Sequence, residues 1–153
     1  MKYIGIILLN FATIGAGIAY LLRIKERCIV ASELIQMADF MSVELSFSAD
    51  NSKKIIRKLA GEETLSHLSF LKSIDLENIN ITTTLKNADN ERINSLFRNL
   101  GCTDVSSMIK MIDSFKENMS VSKAQYDEFY KSHSRLGMAF GILSGLAVTV
   151  VLI

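Results

Sequence analysis

From Val105 onward apolar residues return every three or four positions, at Met108, Ile109, Ile112, Phe115, Met119, Tyr126, Phe129 and Leu136. Ser122 and His133 fill two further steps of the same register. That spacing lays one apolar stripe down one side of a helix. Beyond Leu136 no charged residue remains and the whole circumference becomes apolar. The chain has no proline, and no glycine interrupts the stripe before Gly137. The pattern therefore predicts one helix over about 103–153, roughly 75 Å long at 1.5 Å per residue. Its first part packs along one face, and its last part enters a bilayer.

A second uncharged stretch, residues 3–22, has the 20 positions needed to cross a hydrocarbon layer of roughly 30 Å. Gly17 and Ala19 resemble a signal-peptide cleavage site. The apolar run is longer than a signal core and continues through Leu22, so a retained anchor is predicted. The closing stretch 136–153 is the second span. Between them the helical pattern of Cys28, Ile29, Leu34, Ile35, Met37, Ala38, Met41 and Leu45 extends the first span to about Phe47. Cap-forming residues at 48–52 follow, with Asp50 or Asn51 set to cap a short helix carrying Ile55, Ile56 and Leu59. Gly61 offers a left-handed C-cap. Glu62 and Glu63 then suit the N-terminus of another helix, whose apolar face is Leu65, Leu68 and Leu71.

Residues 73–87 read ambiguously. Ile79, Ile81 and Thr82-Thr83-Thr84 have strand character, while Leu76, Ile79 and Leu85 also fit a helix. A lone strand has no partner here, so helix plus loop is the expectation. Residues 89–100 form a short helix with Ile93, Leu96, Phe97 and Leu100 inward. Gly101 stops it, and Thr103 or Asp104 caps the long last helix. The predicted fold is all-α, with about six helices. It comprises an N-terminal transmembrane helix (1–22), a cytoplasmic helical domain (23–135) and a C-terminal transmembrane helix (136–153).

Charge gives this layout a direction. The 16 acidic residues all lie between Glu26 and Glu128, and every basic residue but Lys2 lies between Arg23 and Arg135. Arg23, Lys25 and Arg27 follow the first span, and Lys131 and Arg135 precede the second. The positive-inside rule puts the middle domain in the cytoplasm and both termini outside. Cys28 and Cys102 then face a reducing compartment, with no disulfide framework or zinc spacing. Opposite charges cancel in the middle domain, so nothing there argues for nucleic acid.

Within the spans, Gly137, Gly141 and Gly145 recur every four residues and leave one helix face without side chains. Ala12 with Ala16, and Gly15 with Ala19, make similar small faces on the first span. Both suit close helix–helix packing, within one chain or in a homo-oligomer.

Several motifs resemble the stage III sporulation protein AB family of endospore-forming bacteria. They are Glu44-Leu45-Ser46-Phe47 before the capped short helix, Leu96-Phe97-Arg98-Asn99-Leu100-Gly101 with Asp104 beyond it, and Lys131 to Arg135 leading into Leu136-Gly137. The apolar tail from Gly141 through Gly145 completes the likeness, which covers nearly the whole chain. The resemblance implies a complex joining mother cell and forespore. It also implies a relation to the inner-membrane platform proteins of type II secretion and type IV pilus machines. A cytoplasmic secretion-type ATPase, stage III sporulation AA-like, would be the neighbouring partner, beside other stage III membrane proteins and membrane lipid.

No catalytic grouping is legible. His67 and His133 have no cysteine, serine or carboxylate trio beside them. Lys53, Lys54, Arg57 and Lys58 form a solvated basic face, and no phosphate loop is present. No cofactor is implied. The reading is an assembly platform rather than an enzyme. A small pore or transporter subunit is the alternative, disfavoured because neither span carries an ionisable residue.

Overall fold

The chain is seen in a computed structural model that describes residues 2–47, 52–75, 78–100, 102 and 104–152. Side chains are described for Gly15 and residues 17–47, and again over 53–134 wherever the backbone is described. Helix α1 (Lys2–Phe47) leads to α2 (Ser52–Ala60), then two short 3-10 turns at Glu63–Leu65 and Ser69–Lys72, then α3 (Asn87–Asn99) and α4 (Val105–Leu152). Among the described residues there is no strand. Four α-helices and two 3-10 turns thus stand where about six helices are expected.

The chain divides into two compact units, Met1–Glu26 with Gln125–Ile153, and Arg27–Ala124. In the second unit the core is built as the periodicity requires. Helix α1 contributes Val30, Ala31, Leu34, Met37, Ala38, Met41 and Leu45. Helix α2 adds Ile55, Ile56 and Leu59, and α3 adds Ile93, Leu96 and Phe97. Helix α4 buries Met108, Ile112, Phe115 and Met119. Full burial of such a side chain is worth about 1.5–3 kcal/mol. Phe70 meets Phe97 edge-on, with ring centroids 5.8 Å apart. The stripe is narrower than expected, since Val105 and Phe129 at its ends are exposed. Val105 opens the first turn of α4, and Phe129 lies against the His133 ring, at 3.8 Å between centroids.

Residues 62–72 depart from the expected α-helix. Leu65, Leu68 and Leu71 recur at intervals of three, the period of a 3-10 helix, where residues three apart stack on one line. Their amides follow the same step: Leu65 donates to Glu62 C=O (3.2 Å), Leu68 to Leu65 (3.0 Å) and Leu71 to Leu68 (3.0 Å). All three side chains are buried. Gly61 also differs from expectation, because its backbone is not left-handed. It closes α2 by donating its N–H to Lys58 C=O at 3.0 Å.

The C-terminal helix begins as predicted. Asp104 accepts the Ser107 N–H on its carboxylate at 3.2 Å, and its C=O takes the Met108 N–H at 3.0 Å. The other expected caps, Asp50, Asn51 and Thr103, and the expected stop Gly101, lie outside the described residues.

In the first unit, Ile24 and Tyr126 are buried, and the Tyr20 and His133 rings lie 6.1 Å apart. Among the described residues no helix is long and apolar enough to cross a membrane. The expected spans, 3–22 and 136–153, fall mostly on side chains outside the described residues.

Candidate functional site

The most organised polar structure lies where the sequence is hardest to read. Between the second 3-10 turn and α3 residues 79–83 form a loop. Ile79 and Ile81 are buried, while Asn80 and Thr82 are exposed. That alternation is the period of a strand. Its backbone is paired by side chains of α3 in place of a second strand. Asn94 Oδ1 accepts the Ile81 N–H at 2.7 Å, and Asn94 Nδ2 donates to the Ile81 C=O at 2.9 Å. One turn earlier Asn90 Oδ1 accepts the Thr83 N–H at 3.0 Å and the Thr83 hydroxyl at 2.7 Å. Asn90 Nδ2 donates to the Leu85 C=O at 3.3 Å. One turn later Arg98 Nη2 donates to the Ile79 C=O at 3.3 Å.

Asn90, Asn94 and Arg98 are spaced four apart, so one face of α3 acts as a ladder of surrogate backbone groups. Of the helix plus loop expected over residues 73–87, the described residues show the loop and no helix before α3 begins at Asn87, and no strand. The missed signal was the conjunction of two features. A period-two apolar pattern at Ile79 and Ile81 is followed by amide side chains at one helical spacing.

A second polar link joins α3 to α4. Asp89 is 3% exposed. It accepts from Ser122 Oγ at 2.8 Å and from Arg92 Nη1 at 2.7 Å. Ser122 is the polar step in the apolar stripe of α4, and the buried carboxylate explains why a hydroxyl occupies it. A third link uses Glu33, also buried. It accepts the His67 backbone N–H at 2.9 Å and lies 2.5 Å from His67 Nδ1. A carboxylate only accepts, so Nδ1 carries the ring proton. His67 is therefore a tie between α1 and the 3-10 segment.

On the surface Lys58 bonds Glu44, and Lys116 bonds Asp39. The Asp39 carboxylate, by that hydrogen bond and by its charge, holds the Lys116 ammonium above its ordinary pKa. Asp104 is lowered to about 2, first by the Ser106 hydroxyl and then by Ser107. Among the described residues no three His, Cys, Asp or Glu side chains are grouped to hold a metal.

Of the residues singled out for topology and membrane packing, all but Arg27 belong to the first unit, Met1–Glu26 with Gln125–Ile153. Arg23, Lys25 and Lys131 are exposed. Arg27 is half-buried, and its Nε donates to the Thr84 C=O at 2.8 Å. Gly15 and Ala19 are exposed, and among the described residues a methyl group on Gly15 would meet nothing within 4 Å. The side chains of Ala12, Ala16 and Arg135, and the positions of Gly137, Gly141 and Gly145 as a packing face, lie outside the described residues.

The ladder, the Asp89–Ser122 link and all of α4 fall within residues 69–153, the stretch that matches the family model for stage III sporulation protein AB. That is more than half of the chain. The chain belongs to the stage III sporulation protein AB family. Membership assigns it a role in sporulation. No curated protein and no solved structure matches the chain. The family-matched region is also where the polar links concentrate, with Asn90, Asn94, Arg98, Asp89 and Ser122 all inside it.

Proposed function

We propose that the chain is an assembly-platform component of the sporulation complex between mother cell and forespore. In this reading a cytoplasmic helical domain, residues 23–135, is held by anchors at 1–22 and 136–153, on the mother-cell side, with both termini outside. The domain docks a cytoplasmic secretion-type ATPase and meets other stage III membrane proteins. The observation that carries the reading is the family match over residues 69–153, a stretch that includes the whole of α4. That helix passes without interruption from an amphipathic segment to a wholly apolar one.

Two further observations support it. Arg23, Lys25, Arg27, Lys131 and Arg135 flank the apolar stretches on one side, as the positive-inside rule asks of a cytoplasmic domain. The small face of Gly15 and Ala19 suits close packing against another helix, within one chain or in a homo-oligomer. The account is tested by deleting the gene in its host and following spore development. Development should stop after engulfment, and spores that mature normally past that stage would contradict it.

A further inference from the structure

Tyr20 on α1 and His133 on α4 meet within the first unit, with ring centroids 6.1 Å apart. The His133 ring also lies 3.8 Å from that of Phe129, and its Nδ1 is 3.0 Å from the Phe129 carbonyl oxygen. A carbonyl only accepts, so Nδ1 carries the ring proton and the imidazole is held against Phe129. Tyr20 and Phe129 nonetheless stay open, at 51% and 42% exposure. Ile18 and Leu22, four residues apart and so on one side of α1, are exposed as well, at 54% and 60%.

Beside this apolar surface the charges are ordered. Leaving the uncharged stretch 3–22, α1 meets Arg23 and Lys25 before Glu26. Approaching the stretch 136–153, α4 passes Asp127 and Glu128 before Lys131 and Arg135. On both helices the cations are therefore the charges nearest the uncharged stretch, and the acids lie farther out. Arg23, Lys25 and Lys131 are exposed. Among the described residues none of their side chains, nor the Tyr20 hydroxyl, takes part in an ion pair or hydrogen bond. Arg23 follows Tyr20 by three positions, so guanidinium and phenol share one side of α1.

We infer that this cluster holds the headgroup of an anionic phospholipid. Arg23 is its principal phosphate contact, Lys25 and Lys131 add charge, and the Tyr20 hydroxyl donates to a phosphate or ester oxygen. Ile18 and Leu22 lie against the acyl chains. The inference rests on the platform reading, with 3–22 and 136–153 as membrane spans, and adds a lipid class and a place for it. The groups follow the order of a lipid itself: apolar side chains, then rings with an apolar body and a polar tip, then cations. A zwitterionic headgroup brings its own ammonium, which the three cations repel, whereas an anionic one leaves its phosphate charge to them. An acidic peptide would meet the cations and leave Ile18 and Leu22 in water.

The test reconstitutes the full-length chain into phosphatidylcholine vesicles that contain a minor share of phosphatidylglycerol. The chain is then re-extracted in mild detergent and its co-purifying lipid is quantified. Phosphatidylglycerol should be enriched over its share of the vesicle by about tenfold or more, a readout that needs no variant. Arg23→Gln should lower the enrichment by about fivefold, as for loss of one cation beside an anionic headgroup. Glu26→Gln, which removes a nearby acid, should not lower it. Phosphatidylglycerol recovered at its bulk share, or equal enrichment by Arg23→Gln, overturns the headgroup site while leaving the platform reading standing. A loss in Glu26→Gln as large as that in Arg23→Gln overturns the site too. Lipid displaced by inorganic phosphate at constant ionic strength assigns the cluster to a soluble anion and likewise overturns it. A wild-type chain that does not float with the vesicles removes the platform reading, and this inference with it.

Discussion

Asn94 bonds both backbone groups of Ile81, accepting its N–H at 2.7 Å and donating to its C=O at 2.9 Å. One amide side chain thereby does for Ile81 what a neighbouring strand would do. Asn94→Ala leaves a donor and an acceptor beside a buried isoleucine without partners, at a cost of about 1–3 kcal/mol. The check is urea denaturation of the full-length chain in detergent, followed by circular dichroism. Asn94→Asp should also destabilise, because it keeps the acceptor for the Ile81 N–H and turns the donor into a second acceptor facing the Ile81 C=O. An unchanged midpoint in both variants would contradict the ladder.

The Glu33–His67 tie predicts an asymmetry. Glu33 is buried and serves both a backbone N–H and a ring nitrogen, so Glu33→Ala should cost about 1–3 kcal/mol. His67→Ala leaves the backbone N–H bond in place and removes only a ring that is half-exposed, so its cost should stay below about 1 kcal/mol. Thermal unfolding of the two variants measures the difference. Equal losses would mean that the ring, and not the backbone N–H, is the part that matters.

Much of this was legible in the chain, for identifiable reasons. Long runs at helical spacing, such as Leu34 to Leu45 and Met108 to Met119, leave little choice of element, and the cap of the last helix could be narrowed to Thr103 or Asp104 from their position before the stripe. The middle could not be read by the same means. Leu65, Leu68 and Leu71 fit an α-helix loosely and a 3-10 line closely, and three residues are too few to separate the two. The course of the chain at 79–83 depends on Asn90, Asn94 and Arg98, which belong to another element. Period-based reading examines one element at a time and cannot see such a pairing. Ser122 illustrates the same point, as its place in an apolar stripe makes sense only once Asp89 is found across from it.

Acid should act on the start of α4. The Asp104 carboxyl is lowered from an ordinary 3.8 to about 2 by the Ser106 hydroxyl and by the hydroxyl and N–H of Ser107. A pKa depressed on folding means that the contribution is fully present above the unfolded value and is lost as pH falls through the folded one. The loss therefore falls between about pH 4 and pH 2. Asp104→Asn should flatten that part of the stability profile, and a carboxyl titration followed by NMR should place the midpoint near the lower end. A midpoint at or above 3.8 would contradict the cap geometry.

The proposed packing face of the last span makes a separate prediction. Gly141→Ile puts a branched side chain where backbones are to approach, and should weaken association in the membrane by about 1–2 kcal/mol, roughly tenfold. Crosslinking in native membranes and recovery of the complex measure it. Unchanged crosslinking would remove the face from the account.

Orientation is checked at Cys102, an exposed cysteine. In intact cells an impermeant thiol reagent should leave it unlabelled, and permeabilised cells should label it readily. Labelling in intact cells would overturn the cytoplasmic placement of the domain.

The central claim, that this chain positions an ATPase at the membrane, is tested most directly by fractionating sporulating cells with and without the gene. The account predicts that the secretion-type ATPase sediments with membranes when the chain is present and becomes soluble when it is absent. An ATPase that stays membrane-bound to the same extent without the chain would contradict it.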